Sequence, residues 1–137
     1  MAANTAPIFS RTPAMGWGTI TAANTAKDGT GTVVTIFTAD ATEGSYVEGI
    51  KLKPLGTNVA SVMRVFINNG LTNATAANNI LFADQGLLAV TNTEVAGQTE
   101  YIVPIRMALP AGYNINITLG TAVAAGWAAC TINAGDY

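Results

Sequence analysis

The sequence predicts an all-β protein: a jelly-roll-like β-sandwich of about eight strands with an extended N-terminal arm. Three observations lead there. Tyr101–Leu109 and Tyr113–Leu119 alternate side-chain type with the period of two that places one face on a core and the other in water. Short strand-like runs recur along the chain between Gly, Asn and Pro turns, with no convincing helical stripe. Several connections are too long for simple hairpins, which favours a double-sheet jelly roll over an up-and-down barrel.

Residues 1–15 read as the arm, because Pro7 and Pro13 sit among small polar residues without periodicity and proline is poor in helices and central strands. Pro7, Ile8 and Phe9 are its candidates for contact with a neighbouring molecule. Residues 16–137 read as one sandwich domain. Gly16–Thr21 is a short strand with Trp17 as an aromatic anchor, and Ala22–Gly31 is a loop whose Asp28-Gly29 pair offers turn chemistry. Thr32–Thr38 is β-branched and apolar on both faces, which predicts an interior strand.

After a loop marked by Asp40, Glu43 and Gly44, Ser45–Leu55 alternates again, with Ile50 and Leu52 opposite Lys51 and Lys53, and Pro54 ends its pairing. Val59–Asn68 places Val59, Met63, Val65 and Ile67 on one side and Ala60, Val62, Arg64 and Phe66 on the other. The second set is too apolar for a wet face, so the strand is either covered twice or meets a partner; Val62, Arg64 and Phe66 are therefore candidate interface residues. Asn68-Asn69-Gly70 is a turn signal, and Leu71–Asn79 a polar loop. Ile80–Ala83 and Leu87–Val90 read as two strand pieces interrupted at Asp84-Gln85-Gly86. Thr91–Thr99 is loop, and Thr121–Ile132 is small-residue-rich around Trp127. The core is expected from Val103, Ile105, Met107, Ile115, Ile117 and Leu119.

Composition narrows the function classes. At 137 residues the chain can bury about 68–70% of its unfolded surface without staples. No apolar run approaches the ~18 residues that cross a bilayer, and Met1–Pro7 has neither a basic nor an apolar signal region, so synthesis in a cytoplasm is expected. The single cysteine, Cys130, forms no internal disulfide, in keeping with that compartment. Only 10% of residues are charged while 50% are hydrophobic, which points to surface hidden against partners, because charge is depleted at interface cores. Six scattered basic residues and a net charge of −2 speak against nucleic acid and against an anionic membrane.

Catalytic chemistry is not legible. There is no histidine, which removes the usual general base and the commonest transition-metal ligand, and no Ser-x-x-Lys pattern supports a hydroxyl nucleophile. Glu48 and Glu100 form a conceivable acid pair, but neutralising Arg64 and Arg106 explains them better. Asp40 with Glu43, and Asp84 with Gln85, lack EF-hand spacing. No catalytic residue, metal or cofactor is expected. Trp17, Trp127 and Tyr137 are candidates for stacking on a sugar, against the commoner outcome of a buried Trp core.

Four stretches carry a family resemblance: Thr57–Gly70 (TNVASVMRVFINNG), Leu109–Tyr113, Ala125–Trp127 and the terminal Gly135-Asp136-Tyr137. Over most of the chain from about Pro7 onward, the sequence resembles small virion structural proteins of tailed bacteriophages and prophages, of the head decoration (cement) type. The resemblance implies a non-enzymatic jelly roll, often a homotrimer, that is made in the host cytoplasm and binds the major capsid protein on the capsid surface. The alternative is a tail- or fibre-associated jelly roll that recognises host glycan.

Overall fold

A computed structural model describes residues 9–137. Ten strands follow in order: β1 (Thr12–Ala14), β2 (Trp17–Ile20), β3 (Val34–Thr38), β4 (Ser45–Pro54), β5 (Ser61–Asn68), β6 (Asn79–Leu87), β7 (Tyr101–Leu109), β8 (Asn114–Leu119), β9 (Trp127–Ile132) and β10 (Ala134–Asp136), with a 3-10 turn at Ala76–Asn78. They form two antiparallel sheets packed face to face.

In the first sheet β2 pairs with β9, β9 with β4, and β7 lies along the other side of β4. In the second the order is β3-β8-β5-β6. The chain therefore passes between sheets in the pattern of a double Greek key, and strands β2 to β9 make an eight-stranded jelly roll as the sequence predicts. The short β1 and β10 are additions, attached to the first sheet where β10 pairs with Ser45 and Tyr46 of β4.

Inward-facing residues of both sheets interlock in one core. Val103, Ile105, Ile115, Ile117 and Leu119 lie within it as expected, with Val47, Ile50, Leu52, Met63 and Val65 from the facing strands; Met107 packs at its rim. Such burial stabilises by about 1.5–3 kcal/mol for each large aliphatic side chain.

Several expectations are corrected. Thr12–Ala14, placed in the arm, forms an edge strand on β10; Pro13 is tolerated because an edge residue can do without its N–H. β3 is not interior but ends its sheet: a bulge after Thr35 lets the successive residues Ile36 and Phe37 both enter the core, which gives the strand apolar residues in either register. Asp84-Gln85-Gly86 does not interrupt β6. The irregularity lies earlier, where Val65 pairs with Ala83 but Phe66 pairs with Leu81, leaving Phe82 as the extra residue.

The largest correction concerns the supposedly wet face of β8. Asn116 and Thr118 are buried, not solvated. Residues 22–33 act as a strap across the outside of the second sheet. At one end Asn24 N–H donates to Leu119 O at 2.7 Å beside β8. At the other, Asn79 Nδ2 donates to Asp28 O at 3.1 Å, and Asn73 Nδ2 to Gly31 O at 2.8 Å, beside β6. A chain anchored at opposite sides of a sheet must cross the strands between, here β8 and β5. Its tip, Gly29 at φ 80°, fits so closely that a Cβ would fall 2.6 Å from Asn79 Cβ.

Candidate interaction surface

Two ion pairs stand on the first sheet's outer face. Arg106 Nε lies 3.3 Å from Glu48 Oε1, and Lys51 Nζ 3.0 Å from Glu100 Oε2. Glu48 thus meets Arg106 as expected, while Glu100 goes to Lys51. Arg64 instead faces Asp84, its register partner on β6, at 3.8 Å. The Tyr46 hydroxyl donates to Glu48, and this carboxylate, ahead of burial, raises the phenol's pKa above its usual value.

The two loop acids serve backbone turns. Asp40 accepts from Glu43 N–H at 2.8 Å and from Thr42 N–H at 3.0 Å, which together hold its pKa below the usual carboxylate range. Asp28 is lowered likewise, first by the Thr30 hydroxyl at 2.6 Å and then by the Thr30 N–H. Among the described residues no three acidic or cysteine side chains converge on a metal position, and no helix is long and apolar enough to cross a membrane.

The predicted interface residues separate. Pro7 and Ile8 lie outside the described residues, while Phe9 is exposed. Val62, Arg64 and Phe66 do share the outer face of β5. Phe66, however, is 0% exposed beneath the strap, so it cannot touch a partner, and the covered-twice alternative holds for it. Val62 and Arg64 are half-buried; Gly120 packs against both, and Arg64 Nη1 is enclosed without a hydrogen-bond partner.

The aromatic candidates separate as well. Trp127 is 0% exposed and packs against Tyr101 with ring centroids 5.8 Å apart, so it is removed as a stacking platform. Trp17 is the opposite case: three residues along the β2–β9 ladder, it points outward and is 68% exposed. Tyr137 joins Phe9, Ser10 and Tyr46 around an open depression of about 410 Å³, which brings the end of the arm to the C-terminus.

Two features escaped the sequence reading. Asn58 is buried and ties three loops together: its Oδ1 accepts from Ala125 and Gly126 N–H at 2.9 Å, its Nδ2 donates to Gly126 O at 2.8 Å, and its backbone bridges Val90. The loops it gathers present Leu55, Val59 and Val95 to solvent at one end of the sandwich, near Leu88. The second is a hydrogen-bonded row across the second sheet, from Thr38 to Asn114, Asn68 and Asn79, which ends at the strap. Asn is an ordinary turn residue, so only its recurrence at corresponding strand positions signalled that role.

Fold and surface together define a jelly roll that exposes large apolar side chains. Comparisons of the chain with protein-family models, with curated proteins and with solved structures found no match.

Proposed function

We propose that this protein is a non-enzymatic virion structural protein of a tailed bacteriophage or prophage: a decoration (cement) protein that binds the head shell as a homo-oligomer, with a trimer favoured, against the major capsid protein. The observation that carries the reading is the exposed surface. Twelve large apolar side chains stand exposed on residues 9–137, nearly as many as the whole chain's six basic and eight acidic residues, so contact with other protein is what this surface suits best. The jelly-roll topology and the resemblance of Thr57–Gly70 to phage structural proteins agree with it, although fold alone assigns no function.

A decoration protein works by linkage: a ligand that binds only the assembled shell stabilises that shell. The exposed end formed by Leu55, Val59 and Val95, and Phe9 at the end of the arm, are the surfaces offered for that contact. Cryo-EM of particles, with thermal release of DNA from particles with and without the protein, tests the reading. Density on the shell and a lower release temperature without it are the expected results; equal robustness would rule cementing out. Deleting residues 2–9, which spares β1, is expected to weaken attachment while the sandwich stays folded.

The exposure of Trp17 and the depression beside Tyr137 favour one second reading, host-glycan recognition on a tail or fibre. A glycan-array signal abolished by Trp17→Ala or Tyr137→Ala would replace the first reading with this one.

A further inference from the structure

We propose that β6 is a pairing edge, to which the β6 strand of a second copy adds antiparallel about a two-fold axis, joining two four-stranded sheets into one. The inference goes beyond decoration and holds whether or not the protein sits on a shell.

It follows from comparing the edges of the sandwich. An edge strand leaves backbone N–H and C=O groups unpaired along one side, a template for another strand unless something blunts it. β3 is covered: the chain at Gly16 lies so close that a Cβ there would fall 2.0 Å from Ile36 O. β1 and β2 are only three and four residues long, and β1 contains Pro13. β7 has nine residues, but Pro104 removes a donor from its middle and the bulge at Arg106, held at φ 50°, breaks its line beside a charged side chain.

β6 is less defended: it is neither short nor broken by proline, and the bulge at Phe82 is its one irregularity against β5. It runs nine residues, about 30 Å, without proline. Ile80 is 65% exposed, Leu81 and Phe82 are partly exposed, and Leu88, just past its end, is 72% exposed. At Phe82 the register with β5 shifts by one residue, and pairing with β5 continues on both sides of it.

The occupant follows from geometry and charge. Unpaired backbone groups on a sheet edge are matched by another strand, and two copies of the same edge match each other when related by a two-fold axis. The single charge on β6, Asp84, lies beside Arg64 of its own sheet, so two such edges meet without an uncompensated like-charge clash. An apolar strip with one internally neutralised acid suits a copy of itself better than a charged partner.

The full chain, studied by light scattering across a wide concentration range, is expected to show even-numbered species: dimers, or hexamers where trimers are joined in pairs. Ile80→Lys combined with Leu88→Lys should halve that mass, and Ile102→Lys on β7 should leave it unchanged. Circular dichroism checks that each variant is folded. Should the double variant fail to fold, hydrogen exchange on the wild-type chain decides: β6 amides should become at least tenfold better protected at high concentration, and β7 amides should not. Odd-numbered species alone, an unchanged mass in the folded double variant, or β6 exchange independent of concentration would each overturn the pairing, while leaving the decoration reading to its own test on particles.

Discussion

The two outer faces of the sandwich are built to opposite rules. On the first sheet, Glu48, Lys51, Lys53 and Arg106 reach water, with salt bridges whose partners are 38–72% exposed. On the second, the strap of residues 22–33 roofs the strands, and the buried groups there are chiefly neutral amides, hydroxyls and the ring of Phe66, with Arg64, its side chain 15% exposed, set beside Asp84 as the exception. Charge belongs on the open face because water screens and solvates it. Amides suit the roofed face because each can give and accept hydrogen bonds once solvent is gone. A face is therefore wet or dry according to what crosses it, and strand alternation alone does not say which.

The sharpest way to break this contrast is to truncate one apolar residue on each outer face. Phe66→Ala, under the strap, is expected to cost about 3–5 kcal/mol, as buried aromatic deletions do. Ile102→Ala, on the open face and 58% exposed, is expected within about 0.5 kcal/mol of wild type. Denaturant unfolding measures both. A Phe66→Ala loss below about 1 kcal/mol would mean that the roof does not close.

Next in size is the strap's anchor. Asn79 accepts from Asn68 and donates to Asp28 O and Asn73 O, so Asn79→Ala leaves the buried Asn68 amide and two loop carbonyls unmatched, at a cost of about 1–3 kcal/mol. Amide exchange should quicken in residues 24–31 while core strands keep their protection. Uniform quickening throughout the molecule would show instead that the strap is not a separable unit.

Those two residues also show what the sequence revealed and what it hid. The period of two located β7 and β8 and most of the core, because side-chain direction along a strand is a local property. The same local property groups Val62, Arg64 and Phe66 on one face of β5. That Phe66 is roofed was not legible, because the strap comes from residues about forty positions earlier and is held by backbone carbonyls, which carry no side-chain signature. The fate of the tryptophans was equally hidden: Trp17 and Trp127 occupy similar small-residue settings, and only the β2–β9 register sends one outward and the other into the core. β10 was missed because three residues give no periodicity to read.

On the open face the expected effects are smaller. A double-mutant cycle on Lys51 and Glu100 should give a coupling of at most about 1 kcal/mol, shrinking as salt is raised, because both side chains are nearly half exposed. The same cycle on Glu48 and Arg106 should behave alike. A coupling that persists in molar salt would mean that something covers this face too.

The smallest effect separates the faces by pH. Asp28 closes the tip of the strap through Thr30, and its folded pKa is lowered from 3.8. A carboxyl depressed on folding contributes stability that is present above its unfolded pKa and is lost as pH falls through the folded value. The acid limb of the stability curve below about pH 4 should therefore carry a contribution from the strap, joined by Asp40 in its own loop. Tyr46, on the open face, has its folded pKa raised from 10.0 by Glu48. The sign reverses: more protons are bound in the folded state, so this contribution is complete below pH 10.0 and is lost as pH rises through the folded value. Asp28→Asn should flatten part of the acid limb and leave the alkaline limb alone, and Tyr46→Phe should do the converse. Since these groups are solvent-accessible, both changes should be slight, resolved as shifts in the slope of melting temperature against pH. An Asp28→Asn variant with an unaltered acid limb would assign that limb to other carboxylates and leave the strap's tip held by its amide anchors alone.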